Sequence, residues 1–452
     1  MPRKKKPEDT TQEKAIDAPK LSKTPQLVKG MKDILPSDQP YWNYVRGIVR
    51  DIGRHYGFDR LDTPVLEDLA LYVHGVGKQT DIVEKEMFTF VDQGGSALAL
   101  RPEFTSAFVR AYIEHGLVNQ PQPVKLYTLG PLFRHEKPQA DRLRQHHQFN
   151  CEVLGEASAS VDAQLILMAQ RFFKMMRLST VLHVNSIGCQ TCRPAYKEAL
   201  VEYYKNKRSQ LCEDCKRRYA KNPLRLLDCK NEECQPFKAE APQTVDFLCE
   251  ECRDHFMKLL EFIEEFEIPY QLDHYLVRGL DYYSRTVFEF FSPAMGESDR
   301  MVALGGGGRY DTLSEILGGR PLPACGFGIG IERAISRVKE LERSDESIKE
   351  LFVEKSPDIF FAQLGDAAKR KSMVLYESLI DEGFSVAEGF CKDNLKGQLE
   401  MANKQGARFT LILGQKELLD GTIIIRNMEG GEQEVINIQK LIPTLQKKLE
   451  IG

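Results

Sequence analysis

The chain contains no run of 18 or more apolar residues, so it predicts no membrane-spanning helix. Its first stretch, MPRKKKPEDTTQEKAIDAPK, is basic but lacks the apolar core of a signal peptide. Acids and prolines interrupt that stretch and no amphipathic period runs through it, which argues against a mitochondrial presequence. A strong charge of either sign is also missing. With 62 basic and 66 acidic side chains the net charge is −4, and a general coat on DNA is excluded. RNA is not excluded, because a local basic face on an acidic protein still supplies phosphate contacts. Cysteine is sparse over most of the chain. Of eleven, Cys151, Cys325 and Cys391 stand alone and eight fall between Cys189 and Cys252. Without an export signal beside them, metal ligation is favoured over disulfides. These absences together predict a cytoplasmic protein with no membrane or DNA partner.

A length of 452 residues predicts two or three domains. Residues 1–26 read as a disordered tail, 27–345 as a main body with a cysteine-rich insertion at 189–255, and 356–452 as a second domain. In the body, apolar residues Tyr41, Val45, Ile48, Val49 and Ile52 recur at helical spacing before a turn at Gly57. Val124–Phe133 and Arg144–Leu154 read as strands joined by a polar loop, and Val161–Met176 as a helix. Lys339–Glu354 is charged and reads as a linker. Beyond it, strands at 358–361, 384–387, 409–413 and 422–427 alternate with helices at 367–382 and 395–405, the pattern of an α/β domain.

Four constellations carry candidate chemistry. In Tyr127-Thr-Leu-Gly-Pro-Leu-Phe-Arg134-His-Glu136 and its partner Arg144-Gln-His-His-Gln148-Phe-Asn-Cys-Glu152, strand alternation predicts one polar face bearing Gln148, Asn150 and Glu152. Arg134 and Glu136 are expected to share one face that coincides with it over a single site, and an arginine fork suits a phosphate. The plain alternative is a hairpin with surface ion pairs. The stretch Arg278-Gly-Leu-Asp-Tyr282-Tyr283 sets a cation beside two phenols, or else an aromatic edge strand beside a solvated arginine. Gly305-Gly-Gly-Gly308-Arg309-Tyr310-Asp311 lets a ligand approach the backbone closely, or is a flexible turn; no Gly-Lys-Ser/Thr follows, so it is no P-loop. Gly326-Phe-Gly328-Ile-Gly330-Ile-Glu332-Arg333 opens a helix with an arginine in its first turn, which suits a nucleoside triphosphate, whereas its glycine spacing does not fit a dinucleotide fingerprint.

Taken together these segments resemble class II aminoacyl-tRNA synthetases, and the Leu276–Tyr283 and Gly306–Asp311 peptides resemble the two signature peptides of histidyl-tRNA synthetases. The hairpin is similar to motif 2, the Glu332-Arg333 helix start to motif 3, and Asp62–Glu67 to motif 1. The resemblance spans about residues 27 to 452. It implies an α+β catalytic core, an antiparallel sheet flanked by helices, with a C-terminal α/β anticodon-binding domain. It also implies a ligase that activates histidine with ATP and Mg²⁺ and transfers it to histidine tRNA, acting as a homodimer. By the same resemblance Arg134 and Arg278 hold the ATP α-phosphate from opposite sides, Glu136 meets the adenine amino group, and Arg333 grips the γ-phosphate. Glu103 and Thr105 receive the histidine α-amino group, Gln148 its carboxylate side, and Glu152, Tyr282 and Tyr283 the imidazole. Lys137, Gln139, Arg142 and Arg144 are implied at the tRNA acceptor end. Phe104 departs from the glycine that many relatives carry there. A rival, a synthetase-like regulatory subunit of ATP phosphoribosyltransferase, typically lacks the C-terminal domain and erodes the Arg278 peptide, both intact here.

Spacing alone, not the resemblance, speaks for zinc. Cys189/Cys192, Cys212/Cys215 and Cys249/Cys252 are three C-x-x-C knuckles, joined by Cys229 and Cys234. Eight thiolates make two Cys₄ sites, expected as two structural zinc ions per chain. An insertion must leave and rejoin one body, so the outer knuckles are expected to share one ion and the inner four cysteines the other. Free cysteines and iron–sulfur ligation are the alternatives.

Overall fold

The computed structural model describes residues 24–137, 142–293, 301–353 and 356–450. Most of the expected tail and Gln139 lie outside the described residues. The chain divides after Phe352 into two compact units.

The first unit is built on an eight-stranded sheet. Its order is Asp59–Arg60, Val124–Phe133, Gln145–Leu154, Ala324–Gly330, Met301–Arg309, Ser284–Pro293, Val181–Ser186 and Tyr270–Leu272. The six inner strands pair antiparallel and the two short outer ones parallel. Alternation decides what each face does. Phe149, Cys151, Val153, Phe288, Phe290, Phe327 and Ile329 point to one side and are fully or almost fully buried. There they meet the helices Gln39–Tyr56, Ala159–Met175, Glu250–Glu265 and Ile331–Leu341, whose apolar stripes complete the main core. Each large apolar side chain buried this way contributes roughly 1.5–3 kcal/mol. The first of these helices has a proline in its opening turn and stops at Gly57, whose φ of 70° lets its N–H reach back to the carbonyl of Arg54, as its sequence predicts.

The opposite face is covered only in part, by the helix Thr105–Glu114 and a second apolar cluster containing Phe104, Phe108 and Leu126. The polar residues of the hairpin look into the space left over. A small sheet, Leu66–Asp68, Ala97–Leu100 and Thr89–Val91, stands apart from the large one.

Three expectations are corrected. The strand ends at Phe133, so Arg134 and Glu136 lie beyond the ladder and are placed by the loop, not by alternation. The four glycines are no flexible turn but the centre of the strand Met301–Arg309. The expected linker is helical to Leu341 and again at Glu346–Phe352, where Phe352 packs on Tyr41 and Tyr44 at ring distances of 4.7 and 5.0 Å. Apolar Ile348 and Phe352, one turn apart among charges, give that segment its buried side.

The cysteine-rich insertion holds the helices Arg193–Lys205 and Glu213–Lys221 and no strand among its described residues. Tyr196, Leu200, Tyr204 and Leu227 give it a small core of its own. Its last helix, Glu250–Glu265, runs through the boundary expected at 255 and continues into the main core.

The second unit is a five-stranded sheet in the order Val386–Glu388, Ile359–Gln363, Phe409–Leu413, Thr422–Asn427, Gln433–Asn437, with the first three parallel. The helices Asp366–Asp381 and Leu395–Lys404 fall where the alternation predicts them. The last strand and the helix Leu441–Leu449 were not foreseen; the strand's exposed, mixed sequence carries no clean period.

Candidate active site

Register puts the polar residues in one place. Glu152 pairs with Leu126 on one side and Gly326 on the other, and Gln148 with Gly130 and Gly330. A Cβ on Gly326 would fall on the Glu152 carboxylate, so the glycine of the neighbouring strand makes room for that acid. Glu152 is buried and accepts hydrogen bonds from the hydroxyls of Thr105 at 2.6 Å and Tyr310 at 2.5 Å. Burial pushes its carboxyl up to about 7, against those two hydrogen bonds, which favour the ionised form. Tyr282 stacks beside Tyr283 at 4.8 Å and edge-on to Tyr310 at 5.6 Å, and burial raises the pKa of all three phenols. The pocket is thus a neutral aromatic box closed at one end by a carboxyl poised to gain or lose a proton.

Glu103 sits just ahead of the helix Thr105–Glu114 and accepts from the N–H of Ser106 at 3.0 Å. A carboxylate at a helix N-terminus is favourable, yet burial still raises its pKa. Asn150 turns its amide to the carbonyl of Phe327 at 3.0 Å, a role inside the sheet.

Three arginines gather beyond this box. Arg278 lies over the Tyr283 ring at 5.5 Å and donates to Glu289 at 3.2 Å. A Cβ on Gly306 would meet the Arg278 guanidinium at 2.8 Å, which explains a glycine mid-strand. Arg333 donates to the carbonyl of Ala303 at 2.9 Å; burial lowers its pKa, and so do the fields of Arg142 and Arg134, while Glu136 and Glu289 oppose them. Arg134 donates to the carbonyl of Pro102 at 2.9 Å. His146 lies among them, and burial, then Arg134 and Arg333, drive its pKa to about 3, so it stays a neutral imidazole. Converging cations beside a neutral imidazole mark a place for an anion.

The loop residues divide. Glu136 pairs with Arg142 at 3.2 Å. The Arg144 side chain donates to the Glu136 carbonyl at 3.4 Å and its backbone N–H to the Gly30 carbonyl at 2.7 Å, so it is fastened to the body. Lys137 is exposed. Glu332 is taken up by the N–H and ring of His147, at 2.8 Å for the ring.

The eight clustered cysteines form two groups of four, Cys189, Cys192, Cys249 and Cys252, and Cys212, Cys215, Cys229 and Cys234, the pairing expected from their spacing. Neighbouring sulfurs lie 3.7 to 3.9 Å apart. A disulfide needs about 2.05 Å. Four sulfurs on a tetrahedron about 2.3 Å from its centre lie roughly 3.8 Å apart. Backbone N–H groups also point at the sulfurs, Cys189 to Cys192 at 3.1 Å and Cys212 to Cys234 at 3.4 Å, as thiolates require. The donor set fits a closed structural zinc site.

Three contributors escaped the sequence reading. Glu289 stood out only as an acid in the apolar run Val287-Phe-Glu-Phe-Phe291. Tyr310 was visible in its glycine-rich peptide, but nothing local says that it meets Glu152. Glu86, whose pKa burial raises despite the field of Arg134, lies in a segment with no pattern at all.

Residues 30–334 match the family described as Histidyl-tRNA synthetase, and 358–448 match one described as Anticodon binding domain. A protein of Dehalococcoides mccartyi named histidine–tRNA ligase is 46% identical over 94% of this chain and 100% of its own length. One of Desulfotalea psychrophila with the same name is 44% identical over 90% of this chain and 92% of its own. The structure of an apo histidyl-tRNA synthetase from S. aureus superposes with a TM-score of 0.77 at 32% identity, covering 94% of this chain and 100% of that one.

Proposed function

The chain belongs to the histidyl-tRNA synthetase family, and from that premise we propose how its residues divide the work of joining histidine to its tRNA. The enzyme activates histidine with ATP to histidyl-adenylate and pyrophosphate, then transfers the histidyl group to the 3′ end of histidine tRNA with release of AMP. The regulatory-subunit reading is not favoured, since near full-length relatives are named ligases and the C-terminal unit matches an anticodon-binding domain.

In the first step a histidine carboxylate oxygen attacks the α-phosphorus in line, and the bond to the pyrophosphate oxygen breaks. No protein nucleophile enters, so position and charge supply the rate. Arg134 and Arg278 flank the α-phosphate, Arg333 holds the γ-phosphate, and Glu136 meets the adenine amino group. Mg²⁺ would arrive with ATP, and Glu289, which pairs with Arg278 and acts on Arg333 through its field, would offer it an oxygen ligand and so help neutralise the phosphates. Glu103, Thr105 and Gln148 orient the amino acid backbone. Glu152 and Tyr283, with Tyr282 behind, read the two ring nitrogens; an apolar amino acid would leave these buried groups unpaired. Lys137, Arg142 and Arg144 meet the tRNA acceptor end. Two zinc ions per chain hold the insertion, and eight reduced thiols accord with a cytoplasmic setting.

The observation that carries this reading is the row of cations next to a carboxyl-ended aromatic box on a single sheet face. Arg278→Ala tests it: histidine-dependent ATP–pyrophosphate exchange should fall about 10²–10³-fold with the fold intact. Exchange within about threefold of wild type would remove Arg278 from the α-phosphate.

A further inference from the structure

The outer cysteine group is wired to the backbone of Tyr283 itself, whereas the inner one reaches the same peptide through Asn222 on the Asp281 side chain at 2.9 Å. Gly188, with φ of 68°, precedes Cys189, and a Cβ there would meet the Cys192 sulfur at 2.6 Å. Its carbonyl accepts from the N–H of Arg285 at 2.9 Å, while the N–H of Ile187 reaches the Arg285 carbonyl at 2.8 Å. Arg193 follows Cys192 directly, and its guanidinium donates to the carbonyls of Gly188 at 3.2 Å and of Tyr283 at 2.5 Å. Between those grips Arg285 holds φ of 50°, a left-handed conformation that a side-chain-bearing residue keeps only under constraint. The second knuckle grips the same segment, since Glu251, beside Cys252, lies 3.4 Å from the Arg285 side chain.

A second arm leaves the same cysteines. One turn after Cys252, His255 meets Asp162 at 2.7 Å, and Asp162 meets Arg309 at 3.0 Å, all buried. Arg309 adjoins Tyr310, whose hydroxyl holds Glu152. The inner group docks mainly on another segment: Arg218 and Arg225 pair with Asp81 at 3.3 and 3.1 Å, and Lys221 with Glu84 at 3.1 Å.

We propose that the outer cysteine group, loaded with metal, is the brace that sets the position of Tyr283, with Arg193 as the positioning residue, so that metal occupancy of this one site governs histidine affinity. The inference rests on the zinc and pocket assignments proposed above. A bound ion fixes Cys192 against Cys252, and with them Gly188 and Arg193, whose bonds to the carbonyl of Tyr283 and the N–H of Arg285 hold that backbone at its strained setting. Release of the ion frees both grips at once. Of the ATP contacts, Arg134 and Arg333 share none of these links, and only Arg278, which lies over the Tyr283 ring at 5.5 Å, is coupled to them, so histidine affinity responds more than ATP affinity.

The experiment compares Cys252→Ser, Cys215→Ser, Arg193→Ala and Arg193→Lys in the full-length chain, measuring zinc content and the KM values for histidine and ATP in pyrophosphate exchange. Cys252→Ser should lose one zinc and raise the histidine KM about tenfold or more, the worth of one hydrogen bond from a charged donor. Its ATP KM should rise several-fold less than its histidine KM. Cys215→Ser should lose the other zinc and raise the histidine KM several-fold less than Cys252→Ser does. Arg193→Ala should keep both ions yet raise the histidine KM like Cys252→Ser, and Arg193→Lys should recover part of the loss. Arg193→Ala with an unaltered histidine KM, or with both KM values raised alike, overturns the brace even if Cys252→Ser does not fold. Wild-type protein without zinc overturns the metal reading instead, and the Arg193 variants still decide whether that side chain positions Tyr283.

Discussion

Glu152 shows how one buried side chain acquires a pH range. Its carboxyl has two hydroxyl donors and no buried cation in contact, so burial dominates and carries the pKa to about 7. Because the folded value lies above the unfolded one, the group's contribution to stability is complete below the ordinary glutamate range and is lost as pH rises through about 7. Binding follows a different rule. Free histidine also titrates near ~6.5. Carboxyl and imidazole share a proton well when at most one is present between them, and poorly when both are protonated. The histidine KM should therefore climb as pH falls from 7.5 towards 5.5, with the ATP KM nearly flat. Glu152→Gln should raise the histidine KM strongly at neutral pH, by about 10–100-fold for a buried charge-assisted contact, and should leave only the titration of histidine itself. A Gln variant whose defect lies in the ATP KM would move Glu152 to the nucleotide.

Elements impose their own limits on what side chains do. The strand Met301–Arg309 can lie against its neighbours only because it is glycine from 305 to 308, where backbone of the flanking strands and Arg278 would meet any Cβ. The insertion meets a different problem. Its core is small, so its helices need a staple. Metal analysis of protein purified without chelator should find close to two zinc ions per chain. Freely reactive thiols at all eight positions, with no metal, would dispose of the staple. Stripping the metal should loosen the insertion before the main sheet, visible as early hydrogen exchange in Arg193–Lys205 and Glu213–Lys221.

For the molecule as a whole, the small three-stranded sheet matters most. It leaves Leu66 and Phe90 each 43% exposed and Val91 68% exposed on a segment that includes the motif 1-like Asp62–Glu67 stretch. Leu66 and Phe90, opposite Leu100 and Leu98, share one face of that sheet, with Val91 on the other; exposed apolar groups gathered on so small a sheet mark an interaction surface, and two-fold pairing is the commonest closed solution. Light scattering should give about twice the 51.6 kDa of the chain. Replacing both Phe90 and Val91 by Asp should shift the protein towards monomer and depress activity. An active wild-type monomer would contradict this. Much was legible before any coordinates. Period-two alternation fixes the faces of a strand wherever one side is apolar, so Phe149, Cys151 and Val153 had to turn away from Gln148, Asn150 and Glu152. Ligand spacing and the need for an insertion to return to its origin were enough to pair eight cysteines correctly. Local sequence could not say that Tyr310 reaches Glu152, that Glu289 stands between two arginines, or that His255 and Asp162 tie a cysteine knuckle to Arg309. Those partners lie 93 to 158 positions apart in the chain or on strands joined only by register. Such contacts depend on how strands are ordered and helices packed, and a period within one segment carries no information about which other segment will lie across from it.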